Sequence, residues 1–251
     1  MSKRLSDKVA LVTGGSRGLG AATAAALADN GADVAISYVA SEQKAAAVVE
    51  GLKAKGVRAV AIRADQGDAS ACEQLIREVV EKFGKLDILV NNAAVAWQGR
   101  TIDDPEIDNA AMDRQWMINT MGVIANIRAA SKVLPDGGRI ISVGTGLGSR
   151  VLFPGTTDYA ATKAAIVGYT RGAARDLGRR NITVNVVQAG IMDTDMAAGS
   201  LDKLPPIVME SFAVRRFAEV EEVAAAIVFL AGPDAGYITG SILDVNGGYT
   251  A

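Results

Sequence analysis

Residues 9–20 are Val9-Ala10-Leu11-Val12-Thr13-Gly14-Gly15-Ser16-Arg17-Gly18-Leu19-Gly20. The stretch begins with an apolar, valine-rich run, which is typical of a strand buried on both faces. It then breaks into glycines and continues into residues 21–28, an alanine-rich segment that favours a helix. A strand, a glycine turn and a helix in this order predict the entrance to a nucleotide-binding βαβ unit. Plain tight turns also contain such glycines, so that alternative stays open on this stretch alone.

The glycines of this loop have distinct expected functions. Gly14 would let the chain turn tightly, Gly18 would let the backbone approach a diphosphate, and Gly20 would let the helix pack close to the strand. The helix N-terminus then offers unpaired N–H groups to the phosphates. The dinucleotide-binding positions predicted in this loop are Gly14, Ser16, Arg17, Gly18 and Leu19.

Size and composition indicate an ordinary globular protein. The chain has 251 residues, of which 49% are hydrophobic, so it can bury a large aliphatic core. The net charge is −2 and no basic run is present, so nothing indicates a nucleic-acid partner or an anionic membrane surface. No apolar stretch reaches transmembrane length, and the N-terminus has no apolar signal core. We therefore expect a single domain over residues 1–251, located in the cytoplasm.

Two residue types are scarce, and their scarcity restricts the chemistry. The chain has no histidine, which excludes Ser-His-Asp catalysis and histidine-ligated metal sites. Its single cysteine, Cys72, can form neither an internal disulfide nor a thiolate cluster, and its apolar helical neighbours indicate a small core residue. Proton transfer is therefore expected from Tyr, Lys, Asp or Glu, and no metal is expected.

Short runs rich in Val, Ile and Leu alternate with helical segments along the whole chain. This alternation predicts a parallel sheet covered on both faces, and right-handed crossovers make such a sheet doubly wound. The predicted fold is a single-domain α/β Rossmann fold with a doubly wound, seven-stranded parallel sheet and helices on both faces. The strands are predicted near 8–13, 33–38, 57–62, 86–90, 138–144, 182–187 and 241–245, and the helices near 19–30, 42–55, 69–83, 109–133, 158–178 and 220–231.

The end of the second strand bears on the choice of cofactor. NAD-binding proteins usually carry an acid about 20 residues past the glycine loop, where it holds the ribose hydroxyls. Here the strand ends at Tyr38, and the first acid after it is Glu42. An adenosine 2′-phosphate would favour the guanidinium of Arg17 and the hydroxyl of Ser41. These residues predict NADP(H) rather than NAD(H), whereas the alternative for Arg17 is an ordinary exposed loop charge.

Tyr159-Ala160-Ala161-Thr162-Lys163 places a phenol and an ammonium four residues apart. On a helix, positions i and i+4 share one face, so both groups would point into the same space. The ammonium would favour the phenolate and lower the pKa of Tyr159 from about 10, which would make it a usable acid or base near neutral pH. The spacing is common by chance and is weak support when taken alone.

Several motifs, in the same order along the chain, resemble those of the short-chain dehydrogenase/reductase family. They are the Thr-Gly-x-x-x-Gly-x-Gly pattern of residues 13–20, the Asn-Asn-Ala-Ala of residues 91–94 (Asn-Asn-Ala-Gly in the family), Asn119, and the pair Tyr159 and Lys163. The resemblance covers essentially the whole chain, and it is closest to the NADPH-dependent carbonyl and 3-oxoacyl-carrier-protein reductase-like members. It implies an NADP-dependent oxidoreductase that acts on CH–OH and C=O groups.

The resemblance implies catalytic roles for four residues. Asn119 would hold a water in a proton relay, although an isolated helical asparagine is more often a solvated or capping residue. Tyr159 would act as general acid and base, and Lys163 would hold the cofactor ribose and keep Tyr159 acidic. Thr145 stands where the family usually has serine, and its hydroxyl could still hydrogen-bond a carbonyl oxygen. Two nearby serines compete with it for this role, Ser142 and Ser149.

The resemblance also implies contacts with the rest of the cofactor. Asp65 would touch the adenine amino group, and Asn91 would lie beside a ribose. Ile191 would lie against the nicotinamide ring, and Thr194 would hydrogen-bond its carboxamide. The remaining cofactor contacts that it implies are Gln66, Ala93 and Gly190.

Residues 195–216 form a long stretch of mixed character near the C-terminal third of the chain. Long loops of this kind often act as lids, and the apolar content favours a cover over an apolar substrate. The alternative is a plain surface connection. The apolar positions of the stretch include Met196, Leu201, Leu204, Pro205, Pro206, Ile207 and Phe212.

The predicted function is hydride transfer between NADP(H) and a ketone, aldehyde or secondary alcohol. One alternative is a 3-oxoacyl-[acyl-carrier-protein] reductase, which would need a basic patch for its acidic carrier. Another is a nucleotide-sensing protein that keeps the fold without the chemistry. We expect a small-molecule substrate and, from the family, a homo-oligomer (tetramer or dimer) built through the last strand and the two long central helices. The candidate patch residues are Arg171, Arg175, Arg179, Arg180, Arg215 and Arg216.

Overall fold

A seven-stranded sheet lies at the centre of the computed structural model, which describes residues 3–194 and 206–251. All of its strand pairs are parallel. The strands are β1 (Val9–Val12), β2 (Asp33–Tyr38), β3 (Ala59–Arg63), β4 (Ile88–Asn91), β5 (Arg139–Thr145), β6 (Thr183–Ala189) and β7 (Ile242–Val245).

Helices connect these strands and cover both faces of the sheet. The predicted doubly wound α/β architecture is confirmed, with β3 and β4 each beginning two residues later than predicted. Among the described residues, no helix combines the length and the apolar character needed to cross a membrane. The helices are α1 (Gly18–Asp29), α2 (Glu42–Lys53), α3 (Ala69–Phe83), α4 (Asn109–Trp116), α5 (Gly122–Ser131), α6 (Thr157–Leu177), α7 (Pro206–Glu210) and α8 (Val220–Ala231).

The strand β1 shows why its sequence is apolar at every position. Ala10 and Val12 pack into the core on the side of α1, α2 and α8. Val9 and Leu11 pack into the core on the opposite side, against α3, α5 and α6. Since successive side chains point to opposite faces and helices cover both, no position of the strand faces water.

The strand order is β3-β2-β1-β4-β5-β6-β7, so the chain leaves β1 in one direction and returns at β4 on its other side. In open α/β sheets, ligands bind in the crevice at the carboxyl ends of the strands where the order reverses. The loops after β1 and β4 line this crevice, and they are the glycine loop and the asparagine segment that begins at Asn91.

The prediction of one long helix over residues 109–133 is wrong in one respect. The structure divides it into α4 and α5, with a π-helical turn, Met117–Met121, between them. In this turn the N–H of Gly122 donates to the carbonyl of Met117, five residues back. Such turns interrupt the regular ladder of an α-helix and are frequent at functional sites. The inserted turn contains Asn119.

The prediction that Cys72 is a core residue of the third helix is confirmed. Cys72 is 1% exposed, and burial raises the pKa of its thiol to about 11, as befits an inert core residue. Asp68 caps α3, because its carboxylate accepts the N–H groups of Ser70 and Ala71.

Candidate active site

The glycine loop has the backbone geometry expected of a nucleotide-binding turn. Gly14 and Gly18 have φ of +64° and +50°, in the left-handed region that favours glycine. A Cβ at Gly14 would lie 2.9 Å from the Cα of Ala93. A Cβ at Gly18 would lie 3.5 Å from Cγ2 of Thr194. The loop therefore runs between the segment after β4 and the segment after β6.

Thr13 and Asn92 hold this loop against the end of β4. The hydroxyl of Thr13 accepts the N–H groups of Asn92 and Ala93, each at 3.0 Å. The side-chain amide of Asn92 donates back to the carbonyls of Thr13 (2.9 Å) and Gly14 (3.2 Å). A Cβ at Gly20 would clash with the Gly14 carbonyl and lie 2.6 Å from the Asn92 amide. The predicted close approach of helix and strand at Gly20 is confirmed.

The N-terminus of α1 opens directly onto this loop. Arg17 is the N-cap residue, and in the described part of the chain no side chain caps the helix and no acid lies in its first turn. The first N–H groups of a helix lack partners within it and carry partial positive charge. The arrangement suits a phosphate or diphosphate at this end of α1.

The end of β2 has the character predicted for the adenosine site. Tyr38 is the last residue of the strand, and no carboxylate follows before Glu42, which begins α2 with Ser41 as its N-cap residue. Arg63 was not predicted at this site, and its Nε donates to the carbonyl of Val39 at 3.1 Å. The parallel pairing of β2 and β3 could have indicated this residue, because it places the last residue of β3 beside Tyr38.

Asp65 lies just past β3, half-buried, with partners for both of its carboxylate oxygens. One oxygen accepts the N–H of Gly67 at 2.9 Å, and the other forms an ion pair with Arg114 on α4. The guanidinium of Arg114 also fills the space in which a Cβ at Gly67 would lie. Arg114 was not predicted, because it is brought to Asp65 by the fold rather than by sequence proximity.

The side chain of Gln66 is buried and is engaged inside the protein. Its amide nitrogen donates to the carbonyls of Ala93 (2.7 Å) and Ile118 (2.9 Å), and its oxygen accepts from Asn126 at 3.2 Å. Any cofactor contact of Gln66 would therefore involve its main chain.

Asn91 ends β4 and is 2% exposed. Its amide donates to the hydroxyl of Ser142, its partner on β5, at 3.4 Å. Ser142 is therefore a buried strand residue and not a group that could reach a substrate. The Asn91 side-chain oxygen has no hydrogen-bond partner among the described residues.

Asn119 lies in the π turn and is fully buried. Its side-chain oxygen accepts the N–H of Val95 at 2.9 Å, and its amide donates to the Val95 carbonyl (2.8 Å) and to the Thr162 hydroxyl (3.3 Å). Thr162 in turn donates to the carbonyl of Tyr159 at 2.7 Å. Both amide protons of Asn119 are therefore engaged within the protein, and neither is free to bind a water.

Tyr159 and Lys163 share one face of α6, with Nζ of Lys163 6.0 Å from the centre of the Tyr159 ring. The ammonium donates to the carbonyl of Val143 on β5 at 2.9 Å. Burial lowers the pKa of Lys163 to about 8 and raises the pKa of Tyr159 to about 12. The predicted lowering of the Tyr159 pKa is wrong for the chain alone, because the loss of hydration on burial raises it.

Thr145 is half-buried at the last position of β5, two residues past the carbonyl that Lys163 contacts. Its hydroxyl accepts the N–H of Leu147 at 3.4 Å. The competing Ser149 exchanges hydrogen bonds with the side chain of Gln188 at 3.0 and 3.3 Å. Ser142 is therefore buried and Ser149 is hydrogen-bonded, whereas Thr145 lines an apolar pocket.

An apolar pocket of about 40 Å³ lies beside Thr145. Phe212 and Tyr249 both line it, and the centres of their rings are 5.5 Å apart. A Cβ at Gly146 would lie 2.6 Å from the Tyr249 ring. Tyr249 was not predicted, because it comes from the C-terminus, far from Thr145 in sequence. The described lining carries no charged side chain, and it consists of Thr145, Gly146, Leu147, Phe153, Ala189, Gly190, Ile191, Val208, Phe212, Asn246 and Tyr249.

The segment after β6 contributes the remaining predicted contacts. Gly190 donates its N–H to the carbonyl of Val245 at 2.9 Å, and a Cβ there would lie 3.0 Å from the Cα of Asn246. Ile191 lines the pocket, and Thr194 lies near Gly18. Part of the predicted lid lies outside the described residues, namely Met196, Leu201, Leu204 and Pro205.

Comparison with known proteins gives relatives over the full length of the chain. A family model described as Enoyl-(Acyl carrier protein) reductase matches residues 14–250. The 3-oxoacyl-[acyl-carrier-protein] reductase FabG of Staphylococcus aureus is 40% identical, over 96% of this chain and 97% of its own. The corresponding reductase of Synechocystis is 39% identical, over 97% of each chain.

Solved structures agree with these relatives. A short-chain dehydrogenase from Burkholderia cenocepacia in complex with NADP is 45% identical and superposes with a TM-score of 0.93, over 99% of this chain and 100% of its own. A blue fluorescent protein from a metagenomic library in complex with NADPH is 43% identical, with a TM-score of 0.93 and the same coverage. With its glycine loop, asparagine segment and Tyr159–Lys163 pair in place, this chain belongs to the short-chain dehydrogenase/reductase family of oxidoreductases.

Proposed function

We propose that the protein is an NADPH-dependent carbonyl reductase that acts on an uncharged ketone or aldehyde and oxidises the corresponding alcohol in reverse. This proposal rests mainly on the placement of Tyr159 and Lys163 on one face of α6. The bond from Lys163 to the Val143 carbonyl holds that face beside the end of β5, where Thr145 meets the apolar pocket.

The crevice fits a dinucleotide that carries an additional phosphate. The glycine loop and the uncapped N-terminus of α1 suit the diphosphate. At the adenosine end, Arg17, Tyr38 and Ser41 would hold a 2′-phosphate, and Arg63 brings a second guanidinium to the edge of that site. The absence of a carboxylate at the end of β2 removes the repulsion that a 2′-phosphate would otherwise meet. The bound NADP and NADPH of the two structural relatives support this choice.

NADPH, when bound, supplies the hydride. Thr145 donates its hydroxyl proton in a hydrogen bond to the substrate carbonyl oxygen, which orients the carbonyl and polarises it. Tyr159 gives that oxygen its phenolic proton as negative charge develops there. Lys163 holds the ribose and stabilises the phenolate that Tyr159 becomes. The main-chain carbonyl of Asn119 holds a water through which the proton on Tyr159 is restored.

The pocket indicates the class of substrate. Its described lining is apolar apart from Thr145 and Asn246, and charged groups are costly to bury without a partner. An uncharged carbonyl compound with a compact apolar substituent is therefore favoured over an acid or a phosphorylated sugar.

Replacing Tyr249 by alanine should shift activity toward larger ketones. The Tyr249 ring lines the pocket, so its removal enlarges the space beside Thr145. The ratio of kcat/KM for an aryl ketone to that for 2,3-butanedione should rise by about ten-fold or more, since a few methylene groups in an apolar pocket are worth that much.

Two further variants make this size test specific. Tyr249→Phe keeps the ring and loses only the hydroxyl that donates to the Arg150 carbonyl at 3.1 Å, so its size preference should match that of the parent. Tyr249→Leu serves if the alanine variant is too unstable to assay. An unchanged ratio in a folded Tyr249→Ala or Tyr249→Leu protein would show that this pocket does not receive the substrate.

Arg17 should determine the preference for NADPH over NADH. A hydrogen bond to a charged group contributes about 1.5–3 kcal/mol, so Arg17→Ala should weaken NADPH binding by about ten-fold or more. NADH binding should change by less than about three-fold, because NADH lacks the phosphate that Arg17 contacts. Tyr38→Asp should reverse the preference, since it places a carboxylate at the end of β2. Fluorescence titration of both cofactors measures the change, and an equal loss for NADPH and NADH in Arg17→Ala would contradict the assignment.

A second candidate function is reduction of 3-oxoacyl groups on acyl carrier protein. The similarity to the Staphylococcus aureus reductase favours it. Two of the six candidate arginines for an acidic carrier are engaged within the protein, and the other four, Arg171, Arg175, Arg179 and Arg215, are exposed. Arg180 is bound to Asp136 and to two carbonyls, and Arg216 forms a two-bond ion pair with Glu222. Turnover of a 3-oxoacyl thioester on the carrier, compared with the same acyl group on a small thiol, distinguishes the two functions.

We also propose a cytoplasmic homo-oligomer, a dimer or tetramer. The strand β7 is an edge of the sheet, and exposed aromatic side chains lie near it at Phe229 on α8 and at Tyr237. Exposed apolar side chains beside a free strand edge favour pairing with a second copy. Light scattering of the purified protein measures its mass and so distinguishes a monomer from a dimer or a tetramer.

A further inference from the structure

The π turn, Met117–Met121, is contacted from outside its own helix by the loop after β3. The side-chain amide of Gln66 donates to the carbonyl of Ile118 at 2.9 Å. Gly122, the first residue after the turn, lies so close to the same loop that an added Cβ would clash with the Gln66 carbonyl. Gln66 therefore contacts the turn through a hydrogen bond at Ile118 and through a close backbone contact at Gly122.

The other hydrogen bonds of the Gln66 side chain reach the segment after β4 and the helix α5. Its second amide proton goes to the carbonyl of Ala93 at 2.7 Å, and Ala93 lies against Gly14 of the glycine loop. Its oxygen accepts from Asn126 on α5 at 3.2 Å. Both protons and the oxygen are thus engaged, and the side chain is 6% exposed. The buried side chain of Gln66 thus connects the segment after β4, which lies against the glycine loop, to the π turn that carries Asn119.

We propose that Gln66 is a positioning residue for the proton relay, because it fixes the π turn and with it the main-chain carbonyl of Asn119. This inference rests on the proposed function, in which that carbonyl holds the relay water. The side chain of Asn119 anchors its own residue to Val95 and Thr162. Gln66 supplies the bond to the neighbouring peptide, at Ile118.

The test replaces Gln66 by methionine, which keeps the length of the side chain and removes all three hydrogen bonds. Asn185→Leu is the matched control, because Asn185 on β6 is also buried and its side chain holds the segment before β7 through hydrogen bonds with Ile238 and Ser241. Both variants should lose similar stability, and only Gln66→Met should affect the π turn.

Hydrogen exchange measured by mass spectrometry gives a result that does not depend on turnover. Peptides that cover residues 117–123 should exchange faster in Gln66→Met than in the parent, while Asn185→Leu leaves their exchange unchanged. In Gln66→Met, kcat for 2,3-butanedione should fall by about 10- to 100-fold, as expected for a small misplacement of a reacting group. The dissociation constant of NADPH should change by less than about three-fold. The solvent isotope effect on kcat should increase, because proton return becomes rate-limiting.

Three results would overturn the proposal. One is unchanged exchange over residues 117–123 in Gln66→Met. Another is a loss of kcat no larger than that in Asn185→Leu. The third is weaker NADPH binding with an unchanged kcat, which would make Gln66 a direct cofactor contact. If the parent protein itself oxidises no NADPH, the proposed function fails, and the exchange measurement still decides whether Gln66 holds the turn.

Discussion

Tyr159→Phe should lower NADPH-dependent turnover by about 100- to 10,000-fold, the range over which a positioned general acid contributes to catalysis. The variant removes the proton that the substrate oxygen receives and leaves the ring in place. Burial raises the pKa of Tyr159 to about 12, so the residue is protonated at neutral pH and ready to act as the acid in reduction. The dissociation constant of NADPH should change by less than about three-fold, because the lost hydroxyl serves the reaction rather than binding.

The same helix offers a matched control for this substitution. Tyr169 lies ten residues further along α6 and packs against the core of the sheet, away from Lys163 and Thr145. Tyr169→Phe should keep the turnover of the parent. If Tyr159→Phe retained more than about a tenth of the parental rate, the general-acid contribution expected of Tyr159 would be absent, and the mechanism would be wrong.

Gly20→Ala should destabilise the protein by about 1–3 kcal/mol, the usual cost of forcing extra atoms into a packed site. The added methyl would overlap the Gly14 carbonyl and lie 2.6 Å from the Asn92 amide, and both belong to the framework of the glycine loop. Since α1 would have to move away from that loop, NADPH binding should weaken as well. Urea unfolding measures the stability, and fluorescence titration measures the binding.

Gly51→Ala makes the same chemical change on the next helix, α2. Apart from Gly51 itself, its chain neighbours and the backbone of its own helix, no atom of the described residues lies within 4 Å of a Cβ built at Gly51. Alanine in an exposed helix interior is more favourable than glycine by about 0.5–1 kcal/mol, so this variant should be slightly more stable than the parent. Equal effects at the two glycines would show that the close approach of α1 to the loop is not what Gly20 provides.

The strands and most helices could be predicted because their signals are local. The run Val9–Val12 is apolar throughout since both faces of β1 are buried, and a fully covered strand requires that composition. The break in the helix at Met117–Met121 could not be predicted in this way. It depends on Gln66 and Gly122 meeting across the fold, and no spacing along the chain records that contact.

In the candidate site too, some features follow from local sequence patterns and others depend on long-range packing. The common face of Tyr159 and Lys163 follows from their four-residue spacing on a helix. The pKa of Tyr159 does not, because it is set by how deeply the fold buries the phenol. Arg114 beside Asp65 and Tyr249 beside Gly146 are likewise products of long-range packing. Side chains that approach from distant segments complete the site, and they are the part that a local pattern cannot reveal.

The most direct test of the account follows the loss of reduced-cofactor absorbance with NADPH and with NADH, side by side. The purified protein is offered a panel of ketones, diketones and 3-oxoesters. Uncharged members of the panel should oxidise NADPH with a kcat/KM about ten-fold or more above that for NADH, since one charge-assisted contact to the 2′-phosphate is worth that factor. Preference for NADH would contradict the assignment of the 2′-phosphate site. Tight binding of NADPH without oxidation by any member of the panel would contradict the proposed carbonyl reduction.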